Sequence, residues 1–458
     1  MAGIGFELKR ATYEDSYTGT IRSYLYAAVI SSGPWLLSVF ALSLLGLVSA
    51  GFLSQEVTTL FSATITHTFA ASLITTGLVQ MVVTRYLADQ MYLDNEEAIA
   101  PTFVAVLVLS SGAQFVVMNL LLSTTNLPLE YRIPAVSLYV AVCGTWLAMV
   151  FLSAARDYVS IVLAFGIGYV GSVLAAVALG SYFGVGAYLM GFAAGQVLTL
   201  GLLMARVLAE FSVTESFNLE FFGHFRKYPA LIAIGLTYNL GFWIDKLAFW
   251  SSSRGVEVNS FLRVFPQYDI MFFVASLVIV PALAIFTVNL ETDFYIHYKD
   301  FYASILEQRS LQDLLSAKEG MLNSIRASYI TLLKLQAGLT LLLATVLTPS
   351  LMRIFGIPQA QWPTFRVMVI AMSFQVFLLF TMLVLLYLDL RGSVVIVCST
   401  FLVTNLGFTI LTILGGVEFY GYGFLGASIV SVAVSLALLV NRFRNLEYLT
   451  FMRQPIQG

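Results

Sequence analysis

The sequence predicts an all-α integral membrane protein with about twelve transmembrane helices in two six-helix bundles. Three observations predict it. Of the 458 residues, 59% are hydrophobic and only 10% charged, and the mean hydropathy is +0.88. A soluble domain carries about 25% charged residues, so this little charge could not cover a soluble surface of this size. Apolar runs long enough to cross a hydrocarbon core, roughly 20 residues, recur along the whole chain. Aromatic residues make up 14% of it, and many stand near the ends of those runs, as interfacial anchors do.

The runs are 22–49, 58–84, 100–123, 132–153, 158–182, 185–208, 229–251, 267–290, 328–349, 364–388, 392–415 and 421–441. The first is too long for a signal-peptide core and lacks a small-residue cleavage site, so it reads as an uncleaved span. Gly and Pro interrupt several runs, which membrane helices tolerate better than soluble ones. Only a turn around Tyr182, Phe183 and Gly184 separates the fifth run from the sixth.

A connection near 210–228 divides the chain into 1–215 and 216–458, six spans on each side. The halves share no sequence identity strong enough for a repeat, and the layout suggests two lobes around a central path. An even number of spans puts both termini on one side. Sixteen basic residues border that side and five the other; Lys246 and Lys334 lie within spans, which accounts for all 23. This asymmetry predicts cytoplasmic termini and an outside loop at 252–266.

The longest inside connection, about 291–327, carries Leu311, Leu314, Leu315, Leu322 and Ile325 at helical spacing among charges. It reads as an amphipathic helix on the inner leaflet or against a partner, with a solvated hairpin between spans as the alternative.

Composition and motifs argue against several function classes. Net charge is −2, which leaves no basic field for nucleic acid. Cys143 and Cys398 fall inside apolar runs with no CxxC and no His beside them, so neither a disulfide nor a metal site is expected. His67, His224 and His297 are far apart, and no HExxH, GxSxG or P-loop is present. The expectation is a protein that is not an enzyme and holds no cofactor. Gly166, Gly168 and Gly171 sit in an apolar run with no strand before them and read as close helix-packing positions.

Charges inside spans are the informative departures, since each costs roughly 2.5–3.5 kcal/mol at a helix centre on insertion scales. The seventh span holds Asn239, Trp243 and Lys246 at i, i+4 and i+7, on one face, with Asp245 beside them. One reading is a polar wall of a cavity between lobes. The other is an ion pair near the outer end of the span, with Lys246 snorkelling to the interface. Lys334 is expected to snorkel from the beginning of the ninth span.

The second span carries Thr64, His67, Thr68, Ser72, Thr75, Thr76, Gln80 and Thr84. This stripe lines a water-filled path or serves helix-to-helix hydrogen bonding, worth roughly 0.6 kcal/mol per contact. In the first span, Pro34 removes a backbone bond and bends the helix. Tyr24, Ser31, Trp35 and Ser38 share a face there. Rings with hydroxyls nearby suit a sugar, and they suit ordinary packing equally. The candidate substrate-path residues are therefore Tyr24, Trp35, Thr68, Ser72, Gln80, Asn239, Trp243, Asp245 and Lys246.

The stretch Gly3-Ile4-Gly5-Phe6-Glu7-Leu8-Lys9-Arg10, followed by Tyr24-Leu25-Tyr26-Ala27-Ala28 and Ser31-Ser32-Gly33-Pro34-Trp35-Leu36-Leu37-Ser38, resembles the start of the PelG family. That family is the inner-membrane component of a bacterial exopolysaccharide system. The specific motifs cover roughly the first 40 residues; length, span count and lobe layout agree over the rest. The resemblance implies the fold of the multidrug/oligosaccharidyl-lipid/polysaccharide flippase superfamily. It implies passage of a galactosamine-containing polymer made by the cytoplasmic glycosyltransferase PelF, with PelD and PelE as membrane partners. It supplies no residue roles.

Two other functions compete with export of a polysaccharide. A cation-coupled small-molecule exporter of the same fold commonly has an acidic residue in its first span, and none stands between Arg22 and Val48. A non-conducting scaffold for a synthase has no need of the polar stripe or of the Asp245–Lys246 pair.

Overall fold

The computed structural model describes residues 53–211, 217–289 and 293–452, with positions 32–34, 36–38, 40–42, 44–46 and 48. Its helices are α1 (Ser32–Gly46), α2 (Gln55–Tyr92), α3 (Ile99–Ser123), α4 (Leu129–Ala154), α5 (Tyr158–Phe183), α6 (Val185–Glu210), α7 (Phe221–Lys227) and α8 (Pro229–Ser251). The strands β1 (Val256–Asn259) and β2 (Leu262–Val264) follow. Then come α9 (Pro266–Ser276), α10 (Ile279–Asn289), α11 (Tyr295–Leu306), α12 (Leu311–Leu341), α13 (Thr348–Ile354), α14 (Trp362–Tyr387), α15 (Arg391–Gly415), α16 (Tyr422–Arg444) and α17 (Leu446–Met452).

Ten helical segments among the described residues are long and apolar enough to cross a membrane. They do not include α8, a helix of 23 residues in which Asn239, Asp245 and Lys246 dilute the hydropathy. With α8 and the partly described α1, each of the twelve predicted runs has a helix. Local chemistry sets the ends. Ser54 caps α2, its hydroxyl accepting from the Val57 N–H at 3.4 Å. Asp157 caps α5, accepting from the Ser160 N–H at 3.2 Å. Gly184, at φ 85°, is the single residue between α5 and α6, a conformation costly for any side chain.

The chain folds as two compact units, each assembled from three segments. The first contains Met1–Leu236, Ser253–Val264 and Leu283–Ser328. In it α4 packs on α2, α3 and α6, and α5 lies along α6. Phe61, Phe103, Tyr131, Tyr139, Phe151, Tyr188 and Phe192 fill its core. Small residues let backbones approach. A Cβ at Gly168 would fall 1.7 Å from the Thr199 hydroxyl, whereas Gly166 faces open space. One at Gly235 would fall 1.9 Å from the Gly77 carbonyl, so α8 begins by crossing α2 at two glycines.

The second unit contains Thr237–Ser252, Phe265–Ala282 and Tyr329–Gly458. Here α14 packs on α9 and α16, and α15 on α16. Buried amides tie the spans: Gln375 Nε2 donates to Ser428 Oγ and Asn405 Nδ2 to the Gly241 carbonyl, each at 2.8 Å.

Three sequence expectations change. The run 267–290 is two helices, broken at Leu277 and Val278. Pro281 has no N–H to give the Leu277 carbonyl and sits in the first turn of α10, where a missing donor costs little. The amphipathic stretch of 291–327 is not a separate surface helix. Its leucines begin α12, which continues without a break through a π-helical turn, Leu342–Leu347, into α13. Those 44 residues reach about 66 Å at 1.5 Å per residue, twice the hydrocarbon thickness. Leu314 and Ile325 are buried with Ala317 and Met321, while Leu311 and Leu315 are exposed. Lys334 lies within this continuous helix, with its side chain exposed. Finally, the loop 252–266 is a β-hairpin, pairing Val256 with Val264 and Glu257 with Arg263.

Candidate functional site

The charged residues of α8, Asp245 and Lys246, are buried in the second unit. Asp245 is 0% exposed and Lys246 3%. The Lys246 ammonium donates to Asp245 Oδ1 at 3.0 Å and to the Phe242 carbonyl, one turn back, at 2.8 Å. It lies 3.1 Å from the centre of the Phe272 ring, with Phe242, Trp243 and Phe424 between 5.1 and 5.8 Å. Ring faces are negative, so the cage stabilises the charge that its apolar walls deprive of water. The side chain is buried in this cage: the ion pair of the second sequence reading is present, but without the snorkelling that accompanied it there. The physical reason is supply: a carboxylate, a carbonyl and four rings surround the ammonium.

The acid is held as well. Tyr268 O–H donates to Asp245 Oδ2 at 2.9 Å, and its ring lies 4.2 Å from that of Phe249. A second carboxylate, Asp269, sits next to Tyr268 in the first turn of α9. It accepts the Trp250 indole N–H at 3.0 and 3.1 Å and the Phe265 N–H at 3.1 Å. The latter is a reach back to the helix N-cap, which satisfies an orphan donor. Two carboxylates and one ammonium thus share the ends of α8 and α9. Reading the sequence as a string missed Asp269, Tyr268 and Phe272. Asp269 carried a signal, a charge at the edge of the run 267–290; the pairing is long-range and carried none.

The stripe of α2 lies in the first unit, against three aromatic residues of α4 and one amide of α3. Thr64 bonds the Tyr131 hydroxyl at 2.9 Å, and Thr75 the Tyr139 hydroxyl at 3.0 Å. Trp146 Nε1 donates to Ser72 Oγ at 3.0 Å, and Gln80 Nε2 donates to the Trp146 carbonyl at 3.4 Å. Tyr139 O–H donates in turn to Gln114 Oε1 at 2.6 Å. Tyr131, Tyr139 and Trp146 are spaced near multiples of the helical repeat, so one face of α4 meets the stripe. Thr68 is buried and its hydroxyl has no hydrogen-bond partner.

Of the sequence candidates, the structure brings Thr68, Ser72 and Gln80 together on α2, and Asn239, Trp243, Asp245 and Lys246 together on α8. Tyr24 and Trp35 lie outside the described residues. Among the described residues, no group of three His, Cys, Asp or Glu side chains converges as a metal site. Outside the spans, Asp157 is the carboxylate with the clearest shift. Burial alone would raise its pKa, but hydrogen bonds from Arg206 and Ser160 outweigh that and hold it below the usual value.

Comparison with solved structures shows the fold. The chain is similar to a MATE transporter crystallised in the bent conformation, at 13% identity and a TM-score of 0.66, covering 98% of this chain and 99% of the other. It is similar to an inward-facing multidrug resistance MATE transporter of the MOP superfamily, at 13% identity and a TM-score of 0.61, covering 92% and 99%. A MOP-superfamily transporter from Pyrococcus furiosus, described as having a binding pocket of reversed polarity, matches at 14% identity and a TM-score of 0.61, covering 92% and 96%. The fold is therefore an all-α membrane fold of about twelve spans in two six-helix bundles. No protein of curated function is similar in sequence. The family profile "PelG: Putative exopolysaccharide Exporter (EPS-E)" matches residues 1–451, almost the whole chain, and the chain belongs to that family.

Proposed function

We propose that this protein carries a bacterial exopolysaccharide, a Pel-like galactosamine-containing polymer, across the inner membrane. The observation that carries the reading is the family match over residues 1–451. The transporter fold agrees with it. On this reading both termini are cytoplasmic, and the polymer is supplied by the glycosyltransferase PelF, with PelD and PelE beside it in the membrane. The lobes 1–215 and 216–458 are the halves that alternate or flank the path. The residues we place along the path are Tyr24, Trp35, Thr68, Ser72, Gln80, Asn239, Trp243, Asp245 and Lys246.

An aromatic ring suits a moving polymer, because it offers a weak contact that can be released as well as formed. Deletion of the gene tests the reading. Surface polymer should disappear while polymer accumulates inside the cell; a normal amount at the surface overturns it. Reporter fusions at Ser253 and Gly458 test the topology and should report opposite sides. The same side for both removes the twelve-span arrangement.

A further inference from the structure

The helix α11, Tyr295–Leu306, belongs to the first unit and lies in sequence between two membrane-crossing segments, Pro266–Ile285 and Leu311–Ile354. It carries tyrosines at 295, 298 and 302. Spacings of three and four residues put all three in one row along a helix. Seven residues at 1.5 Å each make that row about 10 Å long, more than one sugar ring. The centres of the Tyr295 and Tyr298 rings are 6.5 Å apart, with their planes 23° from parallel, and those of Tyr298 and Tyr302 are 4.8 Å apart.

The row is braced from below. Phe294 and Phe301 are 1% and 0% exposed. Phe294 lies 5.9 Å from the Tyr298 ring, and Phe301 meets Tyr302 edge-on at 5.3 Å. His297, one turn before Phe301, comes so close to α12 that a Cβ at Gly320 would fall 2.6 Å from its Nδ1. The apolar side of α11 is therefore taken up by protein, and the tyrosines stand half-buried at its border. Beyond them the helix is charged. Lys299 and Asp300 are exposed, and Arg309 bridges Asp300 and Glu307, each at 2.8 Å. A helix that lies in a bilayer surface turns its apolar side to lipid, and that side of α11 is already closed. Ring faces carry partial negative charge, which suits the C–H faces of a sugar. The charged groups beside them suit its hydroxyls.

From this geometry we infer that α11 is a landing platform for the polysaccharide, on which Tyr295, Tyr298 and Tyr302 stack successive sugar rings before the chain enters the membrane. Each contact is weak enough to be released, and three in line keep the chain aligned while it moves. On the proposed topology this connection is cytoplasmic, the side on which the polymer arrives. The inference rests on the export reading.

Photocross-linking in cells that make the polymer tests it. A photoreactive phenylalanine analogue at position 298 keeps a ring in the row and should trap polymer on the protein. The same analogue at the exposed Ile296, two residues away and so on the opposite side of α11, should trap several-fold less. Equal trapping at the two positions, or lipid trapped at 298 in place of polymer, overturns the inference. The pair Tyr298→Ala and Tyr302→Ala should lower surface polymer several-fold at matched protein level, and Trp at both positions should keep most of it. Export by the alanine pair equal to that of the parent chain also overturns the platform. If the alanine pair does not accumulate, the cross-linking decides alone. Failure of the export reading itself is distinguishable, because gene deletion would then leave surface polymer unchanged.

Discussion

The stripe of α2 and the ionic cluster of α8 place polar atoms inside membrane helices in two different ways. The stripe uses neutral groups. Apart from Thr68, the hydroxyls of the stripe have a fallback in their own helix, as when Thr75 donates to the Ala71 carbonyl at 2.8 Å and Thr76 to the Ser72 carbonyl at 2.6 Å. Losing a neighbour on α4 therefore leaves few atoms stranded. The cluster uses charge. Lys246 has one carbonyl of its own helix, that of Phe242, but an ion removed from water needs an opposite ion or many dipoles, so one such bond does not replace Asp245. A neutral seam tolerates change and suits a surface that slides or hydrates. A caged ion pair is nearly all-or-none.

The sharpest way to break this comparison is Lys246→Ala. It leaves the Asp245 carboxylate buried with only Tyr268 beside it, and breaking a buried pair costs about 3–5 kcal/mol. The level of protein in the membrane should fall well below that of the parent chain. The double change of Asp245 and Lys246 to Ala should recover much of it. Quantitative blotting of membrane fractions checks both, and normal levels for the single variant would mean that folding does not depend on the pair.

Next in size are Trp243→Ala and Trp35→Ala, each expected to reduce polymer export several-fold at matched protein level, with Trp→Phe milder. Trp243 also walls the Lys246 cage, 5.2 Å from the ammonium. The Phe variant, which keeps a ring there, separates cage from path. Unchanged export after Trp→Ala would assign the rings to a lipid-facing belt.

The stripe should respond less. Ser72→Ala removes the acceptor of the Trp146 N–H, and hydrogen bonds between membrane helices average about 0.6 kcal/mol. Thermal unfolding in detergent should show a decrease of that order. A loss as large as that of Lys246→Ala would erase the distinction between the two regions.

The smallest effect belongs to Asp157, outside both. Asp157→Ala removes the cap of α5 and the partner of Arg206, for about 0.5–2 kcal/mol. Because its folded pKa is depressed, its contribution is present above its unfolded pKa and is lost as pH falls through the lower folded one. The difference in melting temperature between parent and variant should therefore shrink in acid, and a difference independent of pH would contradict the assignment.

Much of the membrane architecture was legible residue by residue. Hydropathy is a local sum, so the runs 132–153, 185–208 and 392–415 became helices bounded within a few residues of their ends. Gly184 punctuated α5 and α6 because its positive φ depends on its own missing side chain. The break before α10 was written in Pro281, but a proline in a span is often only a kink, and which it becomes depends on neighbours. The candidate site was half legible. The lysine and aspartate of α8 stood out because charge is rare in a span. Their cage did not, since Phe272 and Phe424 look like any lipid-facing phenylalanine until the helices assemble.

The sequence by itself determined that the chain lives in a bilayer, where its spans lie and which of them carry charge, because each of these depends on a few consecutive side chains and their transfer from water. Only the tertiary structure decided that Lys246 turns inward to Phe272, that Asp269 clamps Trp250 and Phe265, and that the β-hairpin sets Phe261 against His67. Those outcomes rest on contacts between residues up to about 200 positions apart, whose energies exist only once the helices have packed.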